Sequence, residues 1–236
     1  MTDNLVYLQP AYILAQRKYR ESSVIIDVLT RDFGRVSILA RGVRKEKSKT
    51  AGLLQAFMPI RISYFGKAEL KALSHVEMAG PSENLQGIAL YCGFYVNELI
   101  TRFLHPYDPH PEVFTCYEAC LASLLKNENI EATLRVFELD LTEATGYGLE
   151  LDYDLDNNKI SPLATYHFDV ERGVKISPDG HVSGATLLAL KSRQLLEAQT
   201  LLEAKWLMRK VINSCLNGKP LKSRAVINQI MQHLEK

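Results

Sequence analysis

No stretch of the 236-residue chain is apolar over the roughly 20 residues that a membrane-spanning helix needs. The N-terminus, MTDNLVYLQP, lacks the charged segment and following apolar segment of a secretory signal, so the cytosol is the expected compartment. Net charge is nearly absent too: 28 Lys and Arg meet 27 Asp and Glu, leaving +1 at pH 7. The total therefore gives no sign of a polyanionic partner. Screening cuts charge off beyond roughly 10 Å, however, so local patches are what count. Cysteine is scarce. Cys92, Cys116, Cys120 and Cys215 are expected to be reduced in the cytosol. The first three fall on apolar faces of predicted helices, where a small apolar residue fits.

Catalytic signatures are missing as well. Gly146-Tyr147-Gly148 has no third glycine at the dinucleotide-binding spacing and follows a helix. Gly66-Lys67 and Gly218-Lys219 lack the upstream glycine and following Ser or Thr of a phosphate-binding loop, and no G-x-S-x-G occurs. Asp152, Asp154 and Asp156 begin like a calcium loop, but Asn157 and Leu163 stand where Gly and Glu are required. A solvated acidic loop is the better account. His105, Asp108 and His110 stand among prolines and read as a surface turn rather than a metal site. Cys116 and Cys120 have no Cys or His pair at zinc-finger spacing nearby. No internal repeat or low-complexity tract is visible.

What is there is a chain of two characters, with the 47% hydrophobic content of a globular protein. Residues 1–80 read as β. Tyr12–Arg17, Ser23–Leu29, Arg35–Ala40, Pro59–Phe65 and Glu69–Val76 are predicted strands, with a short helix over Ala51–Phe57 between the third and fourth. Five short strands in this arrangement suit an OB barrel, with an SH3-like barrel as the structural alternative. Residues 81–236 read as α. Helices are predicted over Asn84–His105, Glu112–Lys126, Ile130–Thr145, Thr186–Glu197, Thr200–Leu216 and about Leu221 to Leu234. Leu85, Ile88, Cys92, Tyr95, Leu99 and Phe103 recur at helical spacing on the first of these, so Leu99 and Phe103 should face inward. Within an insert at about 150–184, Thr165–Val170 and Val174–Ser177 form a predicted hairpin. The fold class is therefore α+β and multidomain, with a boundary near residue 80.

Two segments concentrate positive charge. In residues 34–49, GRVSILARGVRKEKSK, Val36, Ile38 and Ala40 alternate with Arg35, Ser37 and Leu39 as in a half-buried strand. Arg41, Arg44, Lys45, Lys47 and Lys49 follow, opposed only by Glu46, and Gly42 allows the backbone to bend. A rigid strand delivering a flexible cationic loop is suited to holding a phosphate backbone. A solvated surface loop is the plain alternative. In Gly218–Arg224, Lys219, Lys222 and Arg224 crowd the start of the last helix, against the positive end of its dipole. An anionic partner would relieve them, and a tolerated surface cluster is the alternative. Tyr7, Tyr12 and Tyr19 are able to stack on bases, though tyrosine is also common on strands.

The chain resembles the RecO family of bacterial recombination and DNA-repair mediators along nearly its whole length. The resemblance is carried by VLTRDFGRVSILARGVRK (28–45), LYCGFYVNELITRFL (90–104), TGYGLELD (145–152) and GKPLKSR (218–224). It implies an N-terminal OB domain over 1–80, a helical domain over 81–236 and a small zinc-ribbon-like insert. It also implies a non-enzymatic activity associated with the nucleoid. That activity is binding single- and double-stranded DNA, annealing complementary strands, and working with RecR to load RecA on DNA coated by single-stranded-DNA-binding protein (SSB). DNA contact is expected from Arg35, Arg41, Arg44, Lys45, Lys47 and Lys49, and second from Lys219, Lys222 and Arg224. The helical domain should hold the acidic, apolar C-terminal tail of SSB in an apolar pocket rimmed by Lys or Arg. Many relatives carry four zinc-binding cysteines in the insert. Residues 150–184 here contain none, and His167 and His181 cannot replace four thiolates, so no metal or cofactor is expected. A protein-interaction adaptor that does not bind DNA, and an enzyme with an unrecognised site, remain the alternatives from other classes.

Overall fold

A computed structural model describes residues 5–46, 48, 50–81 and 84–234. By contact the chain divides into two compact units, Met1–Leu121 with Lys222–Lys236, and Ala122–Leu221. The change from strand to helix near residue 80 falls inside the first unit.

That unit is built on a closed barrel of β1 (Val6–Tyr19), β2 (Ser23–Thr30), β3 (Gly34–Ala40), β4 (Ile60–Phe65) and β5 (Lys71–Met78), in the order β1-β2-β3-β5-β4. All neighbours are antiparallel except β3 and β5, which pair in parallel at Ile38–Lys71 and Leu39–Ala72. This closure is that of an OB barrel and removes the SH3-like alternative. The alternation read from the sequence sets the barrel's inside: Val24, Ile26, Val28, Val36, Ile38 and Ala40 join Ile60 and Ile62 in one apolar core. β1 runs further at both ends than predicted, through a register shift between Ile13 and Ala15. The helix predicted over Ala51–Phe57 is only a single 3-10 turn at Ala51–Leu53, because Ala56 bridges to Ile13 of the barrel.

The outer face of β1 is covered by α1 (Gly87–Phe103) and α2 (Pro111–Lys126). Tyr12 packs at 5.1 Å from Tyr117 and 5.6 Å from Phe114. Asn97 of α1 donates to the Leu14 carbonyl at 2.9 Å and accepts from the Tyr117 hydroxyl at 2.7 Å. A buried polar group is thereby satisfied on both sides. Leu99 is fully buried as expected, whereas Phe103, on the last turn of α1, is only half-buried. The last helix, α6 (Lys222–Leu234), also belongs to this unit.

The second unit holds α3 (Ile130–Ala144), β6 (Thr165–Asp169), β7 (Gly173–Ile176), β8 (Val182–Ser183), α4 (Gly184–Ser192) and α5 (Ala198–Cys215). The predicted hairpin becomes a three-stranded sheet in the order β7-β6-β8, the third strand being too short to read from sequence. Tyr166, Phe168 and Val174 from the sheet pack with Leu139, Leu187, Leu190, Leu207 and Met208. α4 stops at Ser192, short of the predicted Glu197, because Arg193 turns left-handed (φ 57°) and closes the helix. Among the described residues no helix is long and apolar enough to cross a membrane.

Candidate nucleic-acid interface

β1 ends in Arg17-Lys18-Tyr19, and the turn to β2 continues the run with Arg20. β3 lies beside β2 with Val24 opposite Ala40, which brings the residues after Ala40 to the same end of the barrel. There Val43 is buried in the barrel core and anchors the chain. The Arg44 amide donates to the Ser22 carbonyl at 3.0 Å, and its guanidinium to the Arg20 carbonyl at 3.2 Å. Gly42, at φ +71°, makes the bend that lets the Lys45 amide donate back to its carbonyl. The sequence pattern predicts a flexible loop; residues 41–46 are instead a series of turns pinned to the β1–β2 connection.

The two segments together enclose a concave site of about 940 Å³, lined by Tyr19, Arg20, Glu21, Ser22, Ser23, Leu39, Arg41, Gly42 and Lys45. The Arg20 guanidinium lies 5.3 Å from the Tyr19 ring centroid, a cation over an aromatic face. Arg41, Arg44 and Lys45 are exposed here, as are Arg17, Lys18 and Arg20. The charge of these six is opposed locally by Glu21 and Glu46. Arg17, Lys18 and Arg20 were missed in the sequence reading, although a basic-aromatic-basic run closing a strand was visible. Of the three tyrosines singled out, Tyr19 lines this site, Tyr7 is exposed, and Tyr12 is buried under α2 and unavailable.

The other basic residues are placed differently. Lys47 and Lys49 lie outside the described residues. Arg35 sits at the opposite end of β3, about 20 Å along the strand from Arg41. It is half-buried, and its guanidinium donates to the Thr101 carbonyl at 2.6 Å, near the end of α1. Lys222 and Arg224 do flank the start of α6, but the counter-charge sought there belongs to the chain itself. Glu98 of α1 accepts from the Lys222 amide at 3.0 Å and from the Ser223 amide and hydroxyl at 2.8 and 2.6 Å. Burial raises its carboxyl, but these hydrogen bonds and Arg102 outweigh it and hold the group below its usual range. Arg224 donates to the Tyr95 hydroxyl at 3.1 Å. Lys219, in the second unit, is exposed.

The insert does not fit a zinc ion. Its two histidines, His167 and His181, meet ring to ring at 6.2 Å, and among the described residues no three His, Cys, Asp or Glu side chains gather as ligands. In the acidic loop, Asp154 accepts from the Asp156 and Asn158 amides at 3.0 and 2.8 Å. His110 contacts Asp108 and Glu112 in an exposed turn.

Two family profiles cover nearly the whole chain. Residues 1–81 match Recombination protein O N terminal, and residues 85–225 match Recombination protein O C terminal. The chain belongs to the RecO family. The DNA repair protein RecO of Methylococcus capsulatus is 43% identical over 222 residues, covering 93% of this chain and 92% of that protein. That of Nitrosospira multiformis is 38% identical over 231 residues, covering 95% and 96%. That of Dechloromonas aromatica is 39% identical over 232 residues, again covering 95% and 96%. Membership of the RecO family places the chain in DNA repair and recombination.

Proposed function

We propose that this RecO-family chain is a non-enzymatic DNA-binding mediator whose barrel grips the sugar-phosphate backbone of single and double strands. The observation that carries the reading is the concave site between the β1–β2 turn and the turns after β3, with six exposed cations and Tyr19 at one barrel end. Phosphate contacts from Lys and Arg fix a strand without reading its sequence. A protein that neutralises two strands held close together lowers their mutual repulsion, which is what annealing requires. The resemblance extends this role to acting with RecR, to binding the SSB tail, and to loading RecA in the cytoplasm at the nucleoid. Domains at 1–80 and 81–236 suit the division of labour, with DNA on the barrel and protein partners on the helices.

The test is fluorescence anisotropy of a labelled oligonucleotide across a salt series. Each phosphate contact to a single strand contributes about −0.7 to the slope of log K against log salt. Replacing Arg17, Arg41, Arg44 and Lys45 together by Ala should flatten that slope by up to about 3 units, equally for unrelated base sequences. A folded quadruple variant with unchanged affinity and slope would remove this site from DNA binding. Absence of binding at low salt by the natural chain would favour the adaptor reading.

A further inference from the structure

Trp206, the chain's single tryptophan, lies half-buried on α5 in the second unit. Lys210 holds its ammonium 4.2 Å from the centroid of the indole. The His181 ring meets the indole edge-on at 5.8 Å. With Leu202, which is 59% exposed, and Glu203, these side chains line an open concavity of about 520 Å³. The Glu203 carboxylate is engaged elsewhere: it accepts from Ser183, Thr186 and Gln199. Lys205 is paired with Glu131 at 2.7 Å, whereas the exposed Arg209 and Lys210 make no ion pair among the described residues.

We propose that this concavity takes an unpaired nucleobase, stacked on Trp206 with its flanking phosphates on Lys210 and Arg209. The proposal rests on the DNA-binding reading and gives it a second contact on another element. An indole face draws a cation when no planar partner is present. Lys210 is a compact charge on a flexible four-carbon stem, so it can leave the ring for a phosphate as a base takes its place. Stacking accepts every base, which suits a protein handling unrelated sequences, and it demands that the base be unpaired. The site would therefore distinguish single strands from duplex, which phosphate contacts alone do not. An acidic peptide would also meet Arg209 and Lys210, and the experiment below separates it from a nucleobase.

The experiment excites Trp206 beyond tyrosine absorption while anisotropy follows binding of an oligothymidylate and of an abasic strand of equal length. The indole should be quenched by the oligothymidylate in step with anisotropy, and the abasic strand should bind without quenching. Trp206→Leu should weaken single-strand binding by about fivefold or more. Should that variant fail to fold, since Trp206 packs on the core, the doubly substituted R209A/K210A chain carries the test at exposed positions. Its salt slope should flatten by about 1.4. Normal binding with no quenching and an unchanged slope in R209A/K210A would overturn the nucleobase site and leave the barrel site standing. Equal quenching by the abasic strand, or quenching by an acidic peptide alone, would overturn it too. No binding of any strand would remove both readings.

Discussion

Gly34 closes the turn between β2 and β3 with φ at +64°, and a Cβ placed on it would lie 2.1 Å from the carbonyl oxygen of Asp108. Two physical demands meet at one residue. A left-handed backbone costs an L side chain about 1–2 kcal/mol, and here the backbone of another segment also occupies the space. The neighbouring bond from the Tyr107 amide to the Arg35 carbonyl at 2.9 Å holds that segment in place. Gly34→Ala should therefore destabilise the barrel by at least about 2 kcal/mol, read as a lowered urea midpoint. A change below about 0.5 kcal/mol would show that the segment at Asp108 yields freely. The sequence leaves only a short connection between the strands predicted at Ser23–Leu29 and Arg35–Ala40, and it says nothing of the clash partner 74 residues away. Arg35, the next residue, makes the same point for charge. Its position in a basic run suggests a phosphate contact, while its guanidinium donates to a helix carbonyl.

Helix ends are where individual carboxylates do structural work in this protein. Glu203 of α5 stands at the start of α4, where it accepts from the Ser183 amide and hydroxyl and from the Thr186 hydroxyl at 2.7–2.8 Å. Burial pushes its carboxyl up, but the Ser183, Thr186 and Gln199 hydrogen bonds prevail and the group is held below its usual value. A carboxyl lowered in the folded state binds fewer protons there than in the unfolded state. Its stabilisation is then complete above the unfolded value, near 4.3, and is lost as pH falls through the lower folded value. Glu203→Gln should accordingly cost about 0.5–1 kcal/mol at pH 7 and progressively less below pH 4. Equal loss at both pH values would mean that the side chain's shape matters and its charge does not. The elements themselves were mostly legible, because periods of 2 and 3.6 mark which face is buried. Strand β8 was not, since two residues carry no period. The end of α4 was not, since Arg193 gives no warning of its left-handed turn. In the insert, Tyr166 and Phe168 hold the sheet to α3 and α5 through an apolar core. The sequence shows that the insert has no cysteine, but not which side chains pack its sheet.

At the scale of the molecule, a net charge of +1 conceals the candidate site, because its cations are gathered at one end of the barrel. The stretch after β3 was legible from its lysines and arginines alone. Its partner, the β1–β2 turn, was not, because the contact between Arg20 and Arg44 depends on the pairing of three strands. Two substitutions with the same effect on net charge separate the local view from the global one. Arg41→Ala removes a cation lining the concave site, while Arg31→Ala removes one at the far end of β2. The seven steps from Ser23 to Thr30 place that end about 23 Å away, nearly three Debye lengths at physiological salt. Arg31 is also already paired with Asp32 at 3.1 Å. If Arg41 neutralises one phosphate, a slope contribution of about 0.7 makes that contact worth about fivefold in affinity at 0.1 M salt. Arg41→Ala should weaken binding of the shortest saturating oligonucleotide by that factor. Arg31→Ala should leave it within about 1.5-fold, and both variants should keep their fold. Equal weakening by the two would mean that DNA responds to the charge of the whole chain, and the barrel end would lose its claim to be the site.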